Sequence, residues 1–227
     1  MGALFPTGAL AAELRDAVDT SLLLPEEAQF LGTAIPKRAQ EFTAGRLCAR
    51  ALLTEFGIHN FPIKAADDRR PIWPEALVGS ITHTTGYCAA VVAPKKLLAA
   101  VGMDCEVAGS VKPELWASIC TPGEVRWLKA LTEAEQSMAA TLIFSAKEAF
   151  YKCQYPLVRE RLSFHDVSVE VPAWAGEVGV FKVHAGRGIA LARHADLPLL
   201  GRYLFHAEFV TAAIALAASA FKPRLSQ

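Results

Sequence analysis

The sequence has no excess charge, no paired-cysteine motif and no apolar stretch long enough to cross a bilayer. Lys plus Arg number 23 and Asp plus Glu number 23. No global field therefore draws the chain to nucleic acid or to an anionic membrane. Five cysteines (48, 88, 105, 120 and 153) make an odd set without a C-x-x-C pair. That pattern points away from a disulfide frame and a zinc site, toward reduced thiols and a cytoplasmic location. The opening MGALFPTGALAAELRD lacks a basic n-region, and Pro6 breaks the myristoylation pattern. Neither a secretory leader nor a lipid anchor is expected. The most apolar segment, Phe209 to Phe221, is too short and too rich in alanine to span a membrane.

What is present is a chain of 227 residues, 52% hydrophobic. It has enough apolar surface for one large domain or two small ones. Leu24-Pro25-Glu26-Glu27 reads as a helix start, with proline in the first turn and acids near the positive end of the dipole. The apolar spacing from Lys37 to Phe56 predicts a helix ended by Gly57. Thr121-Pro122-Gly123-Glu124 is a capping box with proline at the first helical position. A second long helix is predicted from Leu131 to Val158, with Pro156 closing it. From Leu162 to Ala220 the alternation of period 2 predicts an antiparallel β region. Ile81-Thr82-His83 followed by Ala89 to Val92 is echoed by Leu204-Phe205-His206 followed by Ala212 to Ala215. This faint repeat predicts an α+β fold of two similar halves, each a long helix on an antiparallel sheet.

Chemistry concentrates in five blocks. Val101-Gly102-Met103-Asp104-Cys105-Glu106 ends an apolar run with two acids two residues apart, on one face of a strand. Two like charges aimed one way call for a cation between them, and Mg2+ is held by one or two carboxylates plus substrate phosphates. Phe144-Ser145-Ala146-Lys147-Glu148-Ala149-Phe150-Tyr151-Lys152 sets Glu148 and Lys152 one helical turn apart among apolar residues. The first long helix carries Arg38, Arg46 and Arg50, candidates for a phosphate clamp. Asp68-Arg69-Arg70-Pro71-Ile72-Trp73-Pro74 is a loop able to seat a planar base and its phosphates. The turn Ser80-Ile81-Thr82-His83-Thr84-Thr85-Gly86 is crowded with hydroxyls and one imidazole. Each block alone has an ordinary structural reading: solvated acids, a helix ion pair, a basic face, a surface turn. Their conjunction does not.

In that order, RAQEFTAGRLCAR, RRPIWP, GSITH, GMDCE and FSAKEAFYK resemble the 4′-phosphopantetheinyl transferases, in their two-lobed form. The resemblance covers about residues 36 to 155. It implies transfer of the phosphopantetheine arm of coenzyme A to a serine of an apo acyl- or peptidyl-carrier protein, with Mg2+ (or Mn2+), releasing adenosine 3′,5′-bisphosphate. The halves would be residues 1–103 and 104–227, related by a pseudo-two-fold, with the site in the cleft between them. The metal would sit on Asp104, Glu106 and Glu148, with Cys105 adding at most a backbone contact. Glu148 would act as base or third carboxylate, and Lys152 would neutralise the leaving phosphate. Coenzyme A would meet Arg38, Arg46, Asp68, Arg69, Arg70, Pro71, Thr82 and His83, with Asp104, Lys147, Glu148 and Lys152 around its pyrophosphate.

The same resemblance implies a monomer, while the balanced charge and the lack of a spanning segment lead us to expect no nucleic-acid and no membrane partner. Two other readings use the same residues: a coenzyme A-binding module without catalysis, and an Mg-dependent phosphohydrolase acting through water. A purely structural protein gives no reason to place Lys147, Glu148 and Lys152 on an apolar helix.

Overall fold

The computed structural model describes residues 1–15, 17–174, 177–186 and 188–222. The tail from Lys222 to Gln227 is expected from its sequence to fray, and its residues 223–227 lie outside the described ones. Two sheets organise the molecule. The first has three strands in the order β1 (Leu10–Leu14), β3 (Tyr87–Pro94), β2 (Leu77–Thr84). The second has five, in the order β4 (Leu98–Val107), β8 (Phe209–Ala217), β7 (Leu199–His206), β6 (Val178–Ala185), β5 (Val167–Glu170). All described pairings are antiparallel.

Each sheet carries one long helix. Helix α2 (Pro36–Glu55) buries Cys48, Ala49, Leu52 and Leu53 against Ala90 and Val92 of β3. It follows the single short turn of α1 (Pro25–Ala28), where buried Glu27 accepts from the Leu24 and Ile63 amides and pairs with Arg50. Helix α5 (Glu133–Val158) buries Leu142, Ile143, Ala146, Ala149, Phe150 and Cys153 on the second sheet. Between them lie α3 (Trp116–Ile119) and α4 (Pro122–Lys129), and the expected Thr121/Glu124 capping box is formed. The opposite faces of β3 and β4 meet each other. Tyr87, Ala89, Val91 and Ala93 pack with Leu98, Val101, Met103 and Cys105. Strand β3 is therefore buried on both faces, which is why it reads as an unbroken apolar run.

The two halves repeat one plan: a first strand, a long helix, then a hairpin whose last strand inserts beside the first. That gives β1-β3-β2 in one and β4-β8-β7 in the other, so the α+β fold of two similar halves is present. The residue correspondence differs from the expected one. Both hairpin turns have two residues, between Thr84 and Tyr87 and between His206 and Phe209. The structural counterpart of His206 is thus Thr84, not His83.

Strand β4 pairs with β8 along its whole length and spans the expected boundary between Met103 and Asp104. One further expectation is corrected. Pro156 does not end α5. It lies in the last turn, and the helix stops at Arg159, whose left-handed φ of 56° lets its amide close onto Tyr155 O at 2.9 Å. Strand β1 had no strong pattern of its own. It is short and alanine-rich, and its pairing with β3 is long-range.

Gly102 sets how closely β4 approaches α5. A Cβ there would run into the Ala149 carbonyl and stand 2.6 Å from Cys153 N, both main-chain atoms that cannot rotate away. Gly102→Ala should therefore force strand and helix apart, at a cost of ~1–3 kcal/mol for overpacking. Thermal denaturation should show a Tm lower by roughly 2–4 °C per kcal/mol lost. An unchanged Tm would show that the approach is not tight.

Candidate active site

Strands β2 and β4 run side by side at the seam between the halves, yet share no ladder pairing among the described residues. Side-chain hydroxyls of β2 take the place of the ladder. Ser80 Oγ accepts from Met103 N at 3.1 Å, and Thr82 Oγ1 accepts from Cys105 N at 3.0 Å. Thr84 Oγ1 donates to Glu106 Oε2 at 3.4 Å. Period 2 puts these three hydroxyls on one face of β2, and Asp104 and Glu106 on the facing side of β4.

Asp104 is 4% exposed. Its Oδ1 receives Lys152 Nζ at 2.7 Å and Thr82 Oγ1 at 3.3 Å, while its Oδ2 is buried without a partner. Ser145 Oγ, one turn before Glu148 on α5, donates to the Asp104 carbonyl at 3.0 Å. Burial, reinforced by Asp104, pushes the Glu106 carboxyl up to about 7, against the opposing pull of Lys152 and the Thr84 bond; Glu148 adds a smaller push. The Glu148 carboxyl is raised too, by burial first and Asp104 second, with Lys152 again opposing. The three acids therefore feel one another, and one ammonium only partly offsets them.

Glu148 and Lys152 line a cleft of about 890 Å3 between the halves. Arg69, Arg70 and Pro71 line its opposite wall, and Tyr151, Tyr155, Arg159 and Arg161 extend the helix wall. Trp73 is seated flat on Gly79, where any Cβ would come within 2.6 Å of the indole. The aromatic stripe Tyr151/Tyr155, stacked at 5.2 Å, escaped the sequence reading although its i,i+4 spacing was visible. Arg159 and Arg161 escaped it because they follow the predicted helix end.

At the first turn of α2, Arg38 donates to His83 Nε2 and pairs with Glu41 at 3.7 Å. Nε2 therefore accepts, and the imidazole proton sits on Nδ1, 3.5 Å from Glu41 Oε2. Burial holds the His83 pKa below its usual value, with Arg38 adding to the effect, so near neutral pH the ring is uncharged. Arg46 is 7% exposed, stacked 3.6 Å over Phe42, with Nε donating to Ile63 O. Burial lowers its pKa to about 10, and the neighbouring Arg38 charge contributes. Arg38 and Arg46 are thus close enough to repel, an arrangement that favours a bound anion.

Two predicted contacts are not available. Thr82 is 1% exposed, with its hydroxyl engaged by Cys105 N and Asp104, so it cannot reach a phosphate. Lys147 is turned into the protein, where Nζ donates to Ile119 O, Phe164 O and Glu124 Oε2 at 2.7–2.8 Å. The Cys105 thiol lies on the opposite face of β4 from the acids, in the apolar cluster with Tyr87 and Phe209. Asp68 is occupied as well. Its carboxylate pairs with Arg70 at 3.2 Å and Arg159 at 3.0 Å, tying the loop to the end of α5.

A divalent cation fits the acids that are present. Among the described residues no three His, Cys, Asp or Glu side chains form a ready metal group. Strand β4 offers two carboxylates with an orphaned buried oxygen, and Mg2+ commonly takes one or two carboxylates plus substrate phosphates. No described helix is long and apolar enough to cross a membrane.

Residues 26–93 match the family model of the 4′-phosphopantetheinyl transferase N-terminal domain, and residues 100–197 that of the 4′-phosphopantetheinyl transferase superfamily. The chain is 37% identical over 180 residues to the 4′-phosphopantetheinyl transferase Svp of Streptomyces mobaraensis, covering 78% of this chain and 73% of Svp. It is 32% identical over 220 residues to the transferase Npt of Nocardia iowensis, covering 94% of this chain and 98% of Npt. It is 39% identical over 133 residues to enterobactin synthase component D of Escherichia coli, covering 58% of this chain and 61% of that protein.

The electrostatics predict a pH dependence. Glu106 has a folded pKa of about 7, above its usual 4.5. Its contribution to stability is complete below 4.5 and is lost as pH rises through 7. Thermal denaturation of metal-free protein from pH 5 to 8 should show a fall in Tm that Glu106→Gln reduces. Parallel curves for the two proteins would contradict the assignment.

Proposed function

The chain belongs to the 4′-phosphopantetheinyl transferase superfamily, and from that premise we propose that it moves the phosphopantetheine arm of coenzyme A to a serine of apo carrier proteins. The observation that carries the site assignment is that Asp104, Glu106 and Glu148 interact with one another and with Lys152, and that Glu148 and Lys152 line a cleft large enough for the coenzyme. Asp104 and Glu106 would hold Mg2+ or Mn2+, which when bound neutralises charge on the pyrophosphate.

The chain's own groups do the rest. Glu148, its carboxyl pKa raised by burial, accepts the serine proton as the hydroxyl oxygen attacks the phosphorus that bears the pantetheine. The bond from that phosphorus to the oxygen of the adenylate phosphate breaks. Adenosine 3′,5′-bisphosphate leaves with the electron pair. Lys152, held by Asp104 Oδ1 and Met103 O, puts its ammonium where negative charge grows. Arg38, Arg46 and neutral His83 receive the 3′-phosphate side, and Arg69 and Arg70 receive the adenine and 5′-phosphates. The tyrosine pair Tyr151/Tyr155 gives the arm an apolar wall.

The repeat of one plan within a single chain supports a monomer, because the interface between halves is already made. The five free, buried cysteines are consistent with a reducing cytoplasm. Among carrier classes, a siderophore synthetase is the reading that the name of the enterobactin synthase relative supports.

Incubation of an apo carrier panel with coenzyme A and Mg2+, read by mass spectrometry, should show the added mass of the arm. Glu148→Gln should slow the transfer by roughly 10²-fold or more while coenzyme A binding persists. Binding with no transfer by the wild type would favour a non-catalytic module. Nucleotide release without any carrier would favour a phosphohydrolase.

A further inference from the structure

We propose that Thr82 is a positioning residue that turns the Asp104 carboxylate, so that Oδ2 rather than Oδ1 is the oxygen available to a divalent cation. The inference rests on the metal-dependent reading above and deepens it. A threonine hydroxyl has one proton and two acceptor lone pairs. Here one lone pair takes the Cys105 amide at 3.0 Å. The proton then points to the other close polar atom, Asp104 Oδ1, at 3.3 Å. Lys152 donates to the same oxygen at 2.7 Å. Oδ1 thus receives both donors and Oδ2 none, although Oδ2 is buried. A buried carboxylate oxygen without a donor has lost its hydration with nothing in return. Such a cost is retained where the oxygen has a ligand to meet.

Ser80 provides the internal comparison. It lies two residues earlier on the same face of β2 and makes the same kind of bond, accepting from Met103 N at 3.1 Å. Its proton, however, returns to the Met103 carbonyl at 3.4 Å, so it holds main chain only and touches no acid. If the hydroxyls served only to join the halves, Ser80 and Thr82 would be equivalent.

The test uses Mn2+ as probe, with binding to the full chain measured by electron paramagnetic resonance, in the presence and absence of coenzyme A. Thr82→Val and the smaller Thr82→Ala should both weaken Mn2+ binding by ~10-fold or more, as loss of a group orienting a metal ligand does. Thr82→Ser should restore it. Ser80→Ala should bind Mn2+ like the wild type even where its Tm falls as far as that of Thr82→Val. Wild-type affinity in both Thr82→Val and Thr82→Ala would overturn the inference, as would an equal loss in Ser80→Ala. A wild-type chain that binds no Mn2+ with coenzyme A present would overturn the metal reading, and this inference with it.

Discussion

Three carboxylates and one ammonium share the seam between β4 and α5, and most of the molecule serves to keep them there. Burial first, and the like charge of Asp104 second, disfavour ionisation, which is why Glu106 and Glu148 both have raised pKa values. Lys152 lowers both but cannot balance three acids alone. The arrangement is therefore short of positive charge, and a diphosphate with its cation would supply what is missing. Sites built this way give up stability in the empty protein for readiness toward the ligand.

The fold delivers the acids by two close contacts of different kinds. Gly102 lets β4 lie directly on Ala149 and Cys153 of α5, so Asp104 and Glu106 emerge beside Glu148 and Lys152. On the other side, the hydroxyls of Ser80, Thr82 and Thr84 bridge β2 to β4 where no main-chain ladder runs. The seam between the halves is thus polar and specific along the strand that carries the acids. Behind it, Val91, Met103, Cys105 and their neighbours close an apolar core. The buried Lys147–Glu124 pair, with the Val169 amide on Glu124 at 2.6 Å, clamps α4, α5 and β5 together next to Glu148. Removing one partner of such a buried pair costs ~3–5 kcal/mol, a stabilising task unlike the ligand contact first expected of Lys147.

What was legible in the sequence was periodicity and local chemistry. The two long helices, the capping box at Thr121 and the β-rich second half all follow from spacing and stop signals. Asp104 and Glu106 could be placed on one face because a strand alternates strictly. Side-chain direction on a helix was less legible. Lys147 and Glu148 are neighbours in sequence but about 100° apart around α5, and only the packing of α3, α4 and β5 decides which one is enclosed. Thr82 was misjudged for a similar reason. A hydroxyl beside a histidine suggests a ligand contact, whereas the partner that takes it, Cys105 N, is 23 residues away in sequence. Strand β1 and the Asp68–Arg159 bridge likewise depend on partners that no local pattern announces.

The most direct test of convergence is a crystal structure of the chain with coenzyme A and Mn2+, read by the anomalous signal of manganese. One peak is expected beside Asp104 Oδ2 and Glu106, with the pyrophosphate against it and the Glu148 carboxylate facing the phosphorus that bears the pantetheine. A manganese peak remote from β4, or coenzyme A lying outside the cleft that Glu148 and Lys152 line, would contradict the account.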